Sequence, residues 1–330
     1  MPKKVQLTVA LSDYDHFRDF TGGKVEAEGI EITHIDLPVE EIFSRFTRFR
    51  EWHVSEMSMA RYVSLISQGE RGFAGIPVFP SRFFRQHAIY VASDRPIERP
   101  EDLKGRKVGI PEWVQTALVW VRAYLMHQAG LALTDIDWYQ AGVNVGGHVD
   151  EVKAVLPKGL RYTPVKEKSL TDLLLAGEID AMICARPPRL FEEGDKRIRR
   201  MFQDFRPVEE QYWRETGIFP IMHTIVLRRD MFEAHPWIGL NLFKAFEEAK
   251  RRSLVRALDG NICRFPIPWC FDYAEKSRQM FGQDFWPYGV DANRKTLEAF
   301  TQYAFEQGVA HRKLALDELY PEQVARLYEV

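Results

Sequence analysis

The sequence predicts an α/β protein of two lobes, each a mostly parallel sheet flanked by helices, with a ligand cleft between them. Length is the first observation: 330 residues are long for one domain and sufficient for two, each able to bury its own core. Strand-like and helix-like patterns also alternate along the chain, as in a parallel sheet covered on its faces. Finally, two linker-like stretches, near Gln86 to Tyr90 and the proline-containing Thr216 to His223, divide the chain. They assign residues 1–87 and 224–330 to lobe I and residues 88–223 to lobe II.

Apolar residues alternate at Val5, Leu7, Val9 and Leu11, the period of a strand with one buried face. A second strand-like run, Ile30 to Leu37, leads through Pro38 into a helix with Val39, Ile42, Phe43, Phe46 and Phe49 at helical spacing. Val54 to Ser58 is a short segment before another amphipathic helix, marked by Met59, Tyr62, Val63 and Ile66. Gly72 to Arg82 reads as a strand ending in a proline-stiffened loop, and Ile89 begins a new strand. Pro100 to Gly105 is a short helix stopped by glycine, and Pro111 to Gln115 opens a long helix whose N-terminus is expected at the cleft. Ser169 is the N-cap of a helix that Gly177 stops, and Ile179 to Cys184 is a buried strand. After the strand Thr224 to Leu227 the chain is largely helical, with Phe285 to Gly289 as a loop.

The 45 Lys and Arg nearly balance the 47 Asp and Glu. No broad positive field exists to recruit nucleic acid or an anionic membrane, so the ligand is expected in a pocket. No run approaches the roughly 18 apolar residues of a spanning helix. The N-terminal residues enter a strand pattern without an apolar export segment, and the chain reads as cytoplasmic. Cys184, Cys263 and Cys270 form no CxxC pair and read as reduced structural thiols. Dinucleotide, P-loop, HExxH and GxSxG motifs are absent, and the sequence calls for no metal and no cofactor. Exposed aromatic loops and the helical C-terminal region leave room for a homo-oligomer.

In an open α/β sheet, ligands sit beyond the carboxyl ends of the strands. That rule selects Ser12 to His16, Ser55 to Ser58, Phe79 to Arg85, Glu112 to Thr116, Ala185 to Arg189 and the crossing Pro220 to His223. Tyr14, Ser55, Ser81 and Thr116 supply hydroxyls there. Arg82 and Arg85, three apart, suit a grip on a carboxylate, as does Arg186, stiffened by Pro187 and Pro188; pairing with surface carboxylates is the plainer role for each. Glu56, after an apolar segment, is a candidate proton donor or a helix cap. His223 is a candidate acid, base or phenol partner, or a structural histidine at the hinge. His16 and Asp15 are weaker candidates. Trp113 and Trp286 could stack on an aromatic ligand or pack one lobe on the other.

Four stretches combine into something more specific: Val54-Ser55-Glu56-Met57-Ser58, Ile76 to Arg85, Thr216 to Thr224 and Asp284 to Gly289. Together with Asn293 to Phe300 they resemble the family of 4,5-dihydroxyphthalate decarboxylases over nearly the whole chain. The resemblance implies a fold similar to type II periplasmic binding proteins, a carboxy-lyase activity and an aromatic dicarboxylate as ligand. It further implies that Arg82, with Arg85 or Arg186, anchors the carboxylate that stays, that Glu56 protonates the ring carbon, and that His223 engages the para hydroxyl. The competing class is a binding protein for an aromatic carboxylate that shares fold and anchor without proton transfer. One departure stands at Val143 to His148, where relatives commonly carry Gly-Gly followed by Pro-Gly-Arg: the arginine is missing and His148 is the residue that could replace it.

Overall fold

The computed structural model describes residues 3–147 and 152–325, so His148 lies outside the described residues. Eleven strands are described: β1 (Val5–Ala10), β2 (Ile30–Ile35), β3 (Val54–Ser58), β4 (Phe73–Ile76), β5 (Ile89–Ala92), β6 (Lys107–Ile110), β7 (Asp137–Gln140), β8 (Arg161–Pro164), β9 (Ala181–Ile183), β10 (Ile198–Arg200) and β11 (His223–Arg228). They form two sheets, one of order β2-β1-β3-β11-β4 and one of order β10-β5-β9-β6-β7-β8. The first sheet therefore takes its strands from both ends of the chain, and the second from the middle.

Each sheet carries one reversed strand. β11 lies antiparallel between β3 and β4, and β5 lies antiparallel between β10 and β9, while β1–β2, β1–β3, β6–β9, β6–β7 and β7–β8 are parallel. The reversal has a topological cause. β5 follows β4 of the first sheet and β11 follows β10 of the second, so each is the strand by which the chain enters a new sheet, and each runs opposite to its neighbours. The expected mostly parallel sheets are thus mixed, and the N-terminal end of β11 is delivered beside the C-terminal end of β3.

Local chemistry explains most elements. β3 is buried at all five positions, as a strand covered on both faces should be. Helix Val39–Phe49 buries Ile42, Phe43 and Phe46 on one stripe. Ser169 caps Leu170–Leu175 through a reciprocal box with Asp172, and Gly177, at φ 71°, follows the helix end. The sequence pattern had missed β7, β8 and β10: β8 is an edge strand with little burial, and β10 is three residues long with two arginines, so neither shows apolar alternation.

The region of the second sheet is tied to the C-terminal helices by a buried cation. Arg122, fully buried in helix Thr116–His127, donates through Nε to Gln307 Oε1 (2.7 Å) and through Nη2 to the Trp113 carbonyl (2.7 Å), with its guanidinium 4.0 Å from the Trp113 ring. Gln307 in turn donates to the Val119 carbonyl and accepts at its own carbonyl from Trp113 Nε1. A charge buried with this set of acceptors is tolerated, whereas removing one of them would leave it uncompensated. Among the described residues no helix is long and apolar enough to cross a membrane.

Candidate functional site

Strand register builds the centre of the site. Glu56 stands opposite Ile225 and His223 opposite Ser58, so Glu56 and His223 are diagonal neighbours on one face of the β3–β11 pair. His223 Nδ1 lies 2.6 Å from Glu56 Oε1. Tyr14, in the loop after β1, donates its phenol to the same oxygen at 2.6 Å, and the backbone N–H of Ser12 donates to Oε2 at 3.3 Å. Burial, reinforced by the Glu56 charge, pushes the Tyr14 phenol up, so it remains a donor; the Ser81 hydroxyl also bonds it. Glu56 is wholly enclosed, while the His223 ring remains 16% exposed. His223 Nε2 has no protein partner among the described residues, and Phe43 packs edge-on against the ring at 4.9 Å.

The other predicted residues divide into those that face this centre and those that hold the frame. Arg85 donates through Nε to Met222 Sδ (3.2 Å) and through Nη1 to the Ala185 carbonyl (3.3 Å). No carboxylate pairs with it among the described residues, and burial pulls its pKa down to about 10. Arg186, next along from Ala185, is exposed and ion-paired to Glu40 at 2.8 Å. Glu40 is one helical turn from Phe43. Phe43 of this helix thus packs on His223 while Glu40, one turn before it, pairs with Arg186, and Arg85 joins the Ala185 carbonyl to Met222, the residue before His223.

Arg82 is placed differently. It is buried, and its guanidinium donates to the carbonyls of Phe219 (3.3 Å) and Pro287 (2.8 Å) and to the Asn293 side chain. Burial pulls its pKa down to about 9. It clamps the crossing segment to the loop after helix Cys270–Phe281. Ser55 alternates away from Glu56, accepts from Trp52 Nε1 and donates to the Glu56 carbonyl. Thr116 meets Ser58 Oγ at 2.9 Å and accepts from the Ala60 N–H, so the helix Thr116–His127 begins against the end of β3. Trp113 is buried against Arg122 and Trp138, and Trp286 donates to the Phe79 carbonyl beside His16 and Phe219. Asp15 is bonded to Ser253 and Arg256, and burial lowers His16 to about 4.

Sequence reasoning missed Ser12, Phe43 and Met222 as neighbours of the candidate pair, and Glu40 as the partner of Arg186. Ser12 lay within a selected loop, but Phe43 read only as one member of a helix stripe. A surface depression of about 1110 Å³ is lined by residues such as Arg294, Glu298 and Lys313 and holds none of these side chains. Among the described residues no three His, Cys, Asp or Glu side chains are grouped to hold a metal ion.

Two mixed sheets flanked by helices define a periplasmic-binding-protein-like α/β fold. It is similar to the aliphatic sulphonate binding protein SsuA of Escherichia coli, with TM-score 0.53 and 14% identity, covering 97% of this chain and 92% of that one. At the level of sequence the chain is 34% identical over 318 residues to a 4,5-dihydroxyphthalate decarboxylase of Comamonas testosteroni, covering 96% of each. It is 32% identical over 212 residues to one of Pseudomonas putida, covering 64% of this chain and 82% of that protein. No family model matches. The chain belongs to the 4,5-dihydroxyphthalate decarboxylase family and is a carboxy-lyase.

Proposed function

We propose that the protein decarboxylates 4,5-dihydroxyphthalate, or a closely related hydroxylated aromatic dicarboxylate, to 3,4-dihydroxybenzoate and CO₂, in a cleft between lobe I (residues 1–87 and 224–330) and lobe II (residues 88–223). The observation that supports this most is the buried Glu56 carboxylate bonded to a partly open His223, with Arg85 and its unpaired charge beside the Met222 that precedes it.

Direct loss of CO₂ from an aryl carboxylate would leave an anion in the ring plane, where the ring cannot delocalise it. In this substrate each hydroxyl is para to one carboxylate. Ionising that hydroxyl feeds electron density to the carbon bearing the departing group, which accepts a proton and becomes tetrahedral. The C–C bond then breaks, its electron pair restores the aromatic ring, and CO₂ leaves. The Glu56–His223 couple handles the proton, a contribution of roughly 10²- to 10⁴-fold. Arg85 holds the carboxylate that stays, since Arg82 is buried and its Nη groups already bond Phe219, Pro287 and Asn293. The chemistry requires no organic cofactor.

The test is incubation of the protein with 4,5-dihydroxyphthalate, following loss of substrate and appearance of 3,4-dihydroxybenzoate. Stoichiometric conversion that is lost in His223→Gln supports the reading. Absence of conversion by the wild type removes this substrate.

A further inference from the structure

The hydrogen bonds around Glu56 leave it poorly suited to donate a proton to a substrate. Its Oε1 accepts from Tyr14 and from His223 Nδ1, its Oε2 receives the Ser12 N–H, and none of it is exposed. Three partners already bond this carboxylate, and no surface of it is open to a ring carbon. His223 has the opposite arrangement. With Nδ1–H committed to Glu56, the remaining nitrogen, Nε2, lies on a ring that is 16% exposed and has no protein partner among the described residues. A buried carboxylate behind an imidazole fixes its tautomer and ring orientation.

We propose that His223 Nε2 is the atom that exchanges a proton with the ring carbon, with Glu56 and Tyr14 as positioning residues, and that the protein therefore has a second activity. It exchanges one ring hydrogen of 3,4-dihydroxybenzoate, the one at C6, para to the 3-hydroxyl, with solvent, and needs no CO₂ to do so. This inference rests on the decarboxylase reading for the identity of the probe. The exchange balances without a co-reactant. With the 3-hydroxyl ionised and His223 deuterated in D₂O, the Nε2–D bond breaks as a C6–D bond forms from the ring electrons. The C6–H bond, which now points to the opposite face of the ring, then breaks toward water, its electron pair restores the ring, and Nε2 takes a fresh deuteron from solvent.

The experiment is proton NMR of 3,4-dihydroxybenzoate in D₂O with catalytic protein, alongside decarboxylation assays and ¹⁵N NMR of the histidines in ligand-free protein. The C6 signal is expected to decay while the other two ring signals persist. His223→Gln should exchange no faster than buffer. Tyr14→Phe, which retains the ring, should slow exchange roughly tenfold, as one lost charge-assisted hydrogen bond allows, with the half-saturating product concentration nearly unchanged. In the wild type the His223 ¹⁵N signals should report a proton on Nδ1, and in Glu56→Gln that preference should weaken, which a purely structural role would not produce. Exchange surviving in His223→Gln, or decarboxylation with no exchange, overturns the inference while leaving the decarboxylase reading intact. Exchange without decarboxylation supports the inference and rejects 4,5-dihydroxyphthalate as substrate. Absence of both rejects both.

Discussion

Glu56 and His223 meet through strand register: the antiparallel pairing of β3 with β11 sets Glu56 against Ile225 and brings the imidazole two residues upstream to 2.6 Å from its carboxylate. Because β11 begins where β3 ends, the pair sits at the first residue of a reversed strand, where the imidazole stays partly exposed. The carboxylate is buried and the imidazole is not, so the two groups are not interchangeable.

Glu56→Gln removes the charge behind His223 while keeping its volume. Turnover is expected to fall by roughly 10²- to 10⁴-fold, with KM changed far less. Steady-state kinetics on protein shown to be folded by its near-ultraviolet spectrum checks this, and turnover within a few-fold of wild type would contradict it.

Arg85 and Arg82 are expected to separate binding from stability. Arg85→Met removes a cation that no carboxylate ion-pairs among the described residues, so KM for the dicarboxylate should rise by about 10- to 100-fold, the range of a charged hydrogen bond. Equilibrium binding to a non-reacting aromatic dicarboxylate gives the same comparison without turnover.

Arg82→Met strips donors from Phe219, Pro287 and Asn293. The expected cost is about 2–4 kcal/mol of folding stability, from buried acceptors left without partners. Chemical denaturation of this variant beside Arg85→Met should show the larger loss at Arg82.

His16 supplies a pH dependence of stability. Burial lowers it from 6.5 to about 4 in the fold. The unfolded chain therefore binds a proton that the folded one refuses between those values, and stability falls as pH drops from about 6.5 toward about 4. Denaturation midpoints across this window should be steeper for wild type than for His16→Gln.

The grouping of Tyr14, Glu56 and His223 was partly legible from the sequence, because a physical rule, ligands beyond strand ends, selected the loops that carry them. The choice between Arg82 and Arg85 was not legible. What commits Arg82 is a pair of carbonyls at positions 219 and 287, far along the chain, and no local pattern reports them. Arg186 followed a buried strand as expected, yet it faces out to Glu40. Ser55 could have been set aside earlier, because strand alternation puts it on the face opposite Glu56. The reversed strands were hidden for a similar reason: β5 and β11 look like any other apolar strand, and only the path of the chain between sheets sets their direction.

The most direct measurement is decarboxylation of 4,5-dihydroxyphthalate in D₂O by wild type, Glu56→Gln and His223→Gln, with CO₂ quantified and the product examined by NMR. The expected result is one CO₂ per substrate and one deuterium, at the ring carbon that lost the carboxylate, with the rate severely reduced in both variants. Undiminished turnover in His223→Gln, or deuterium at any other ring position, would contradict a proton delivered by the Glu56–His223 couple.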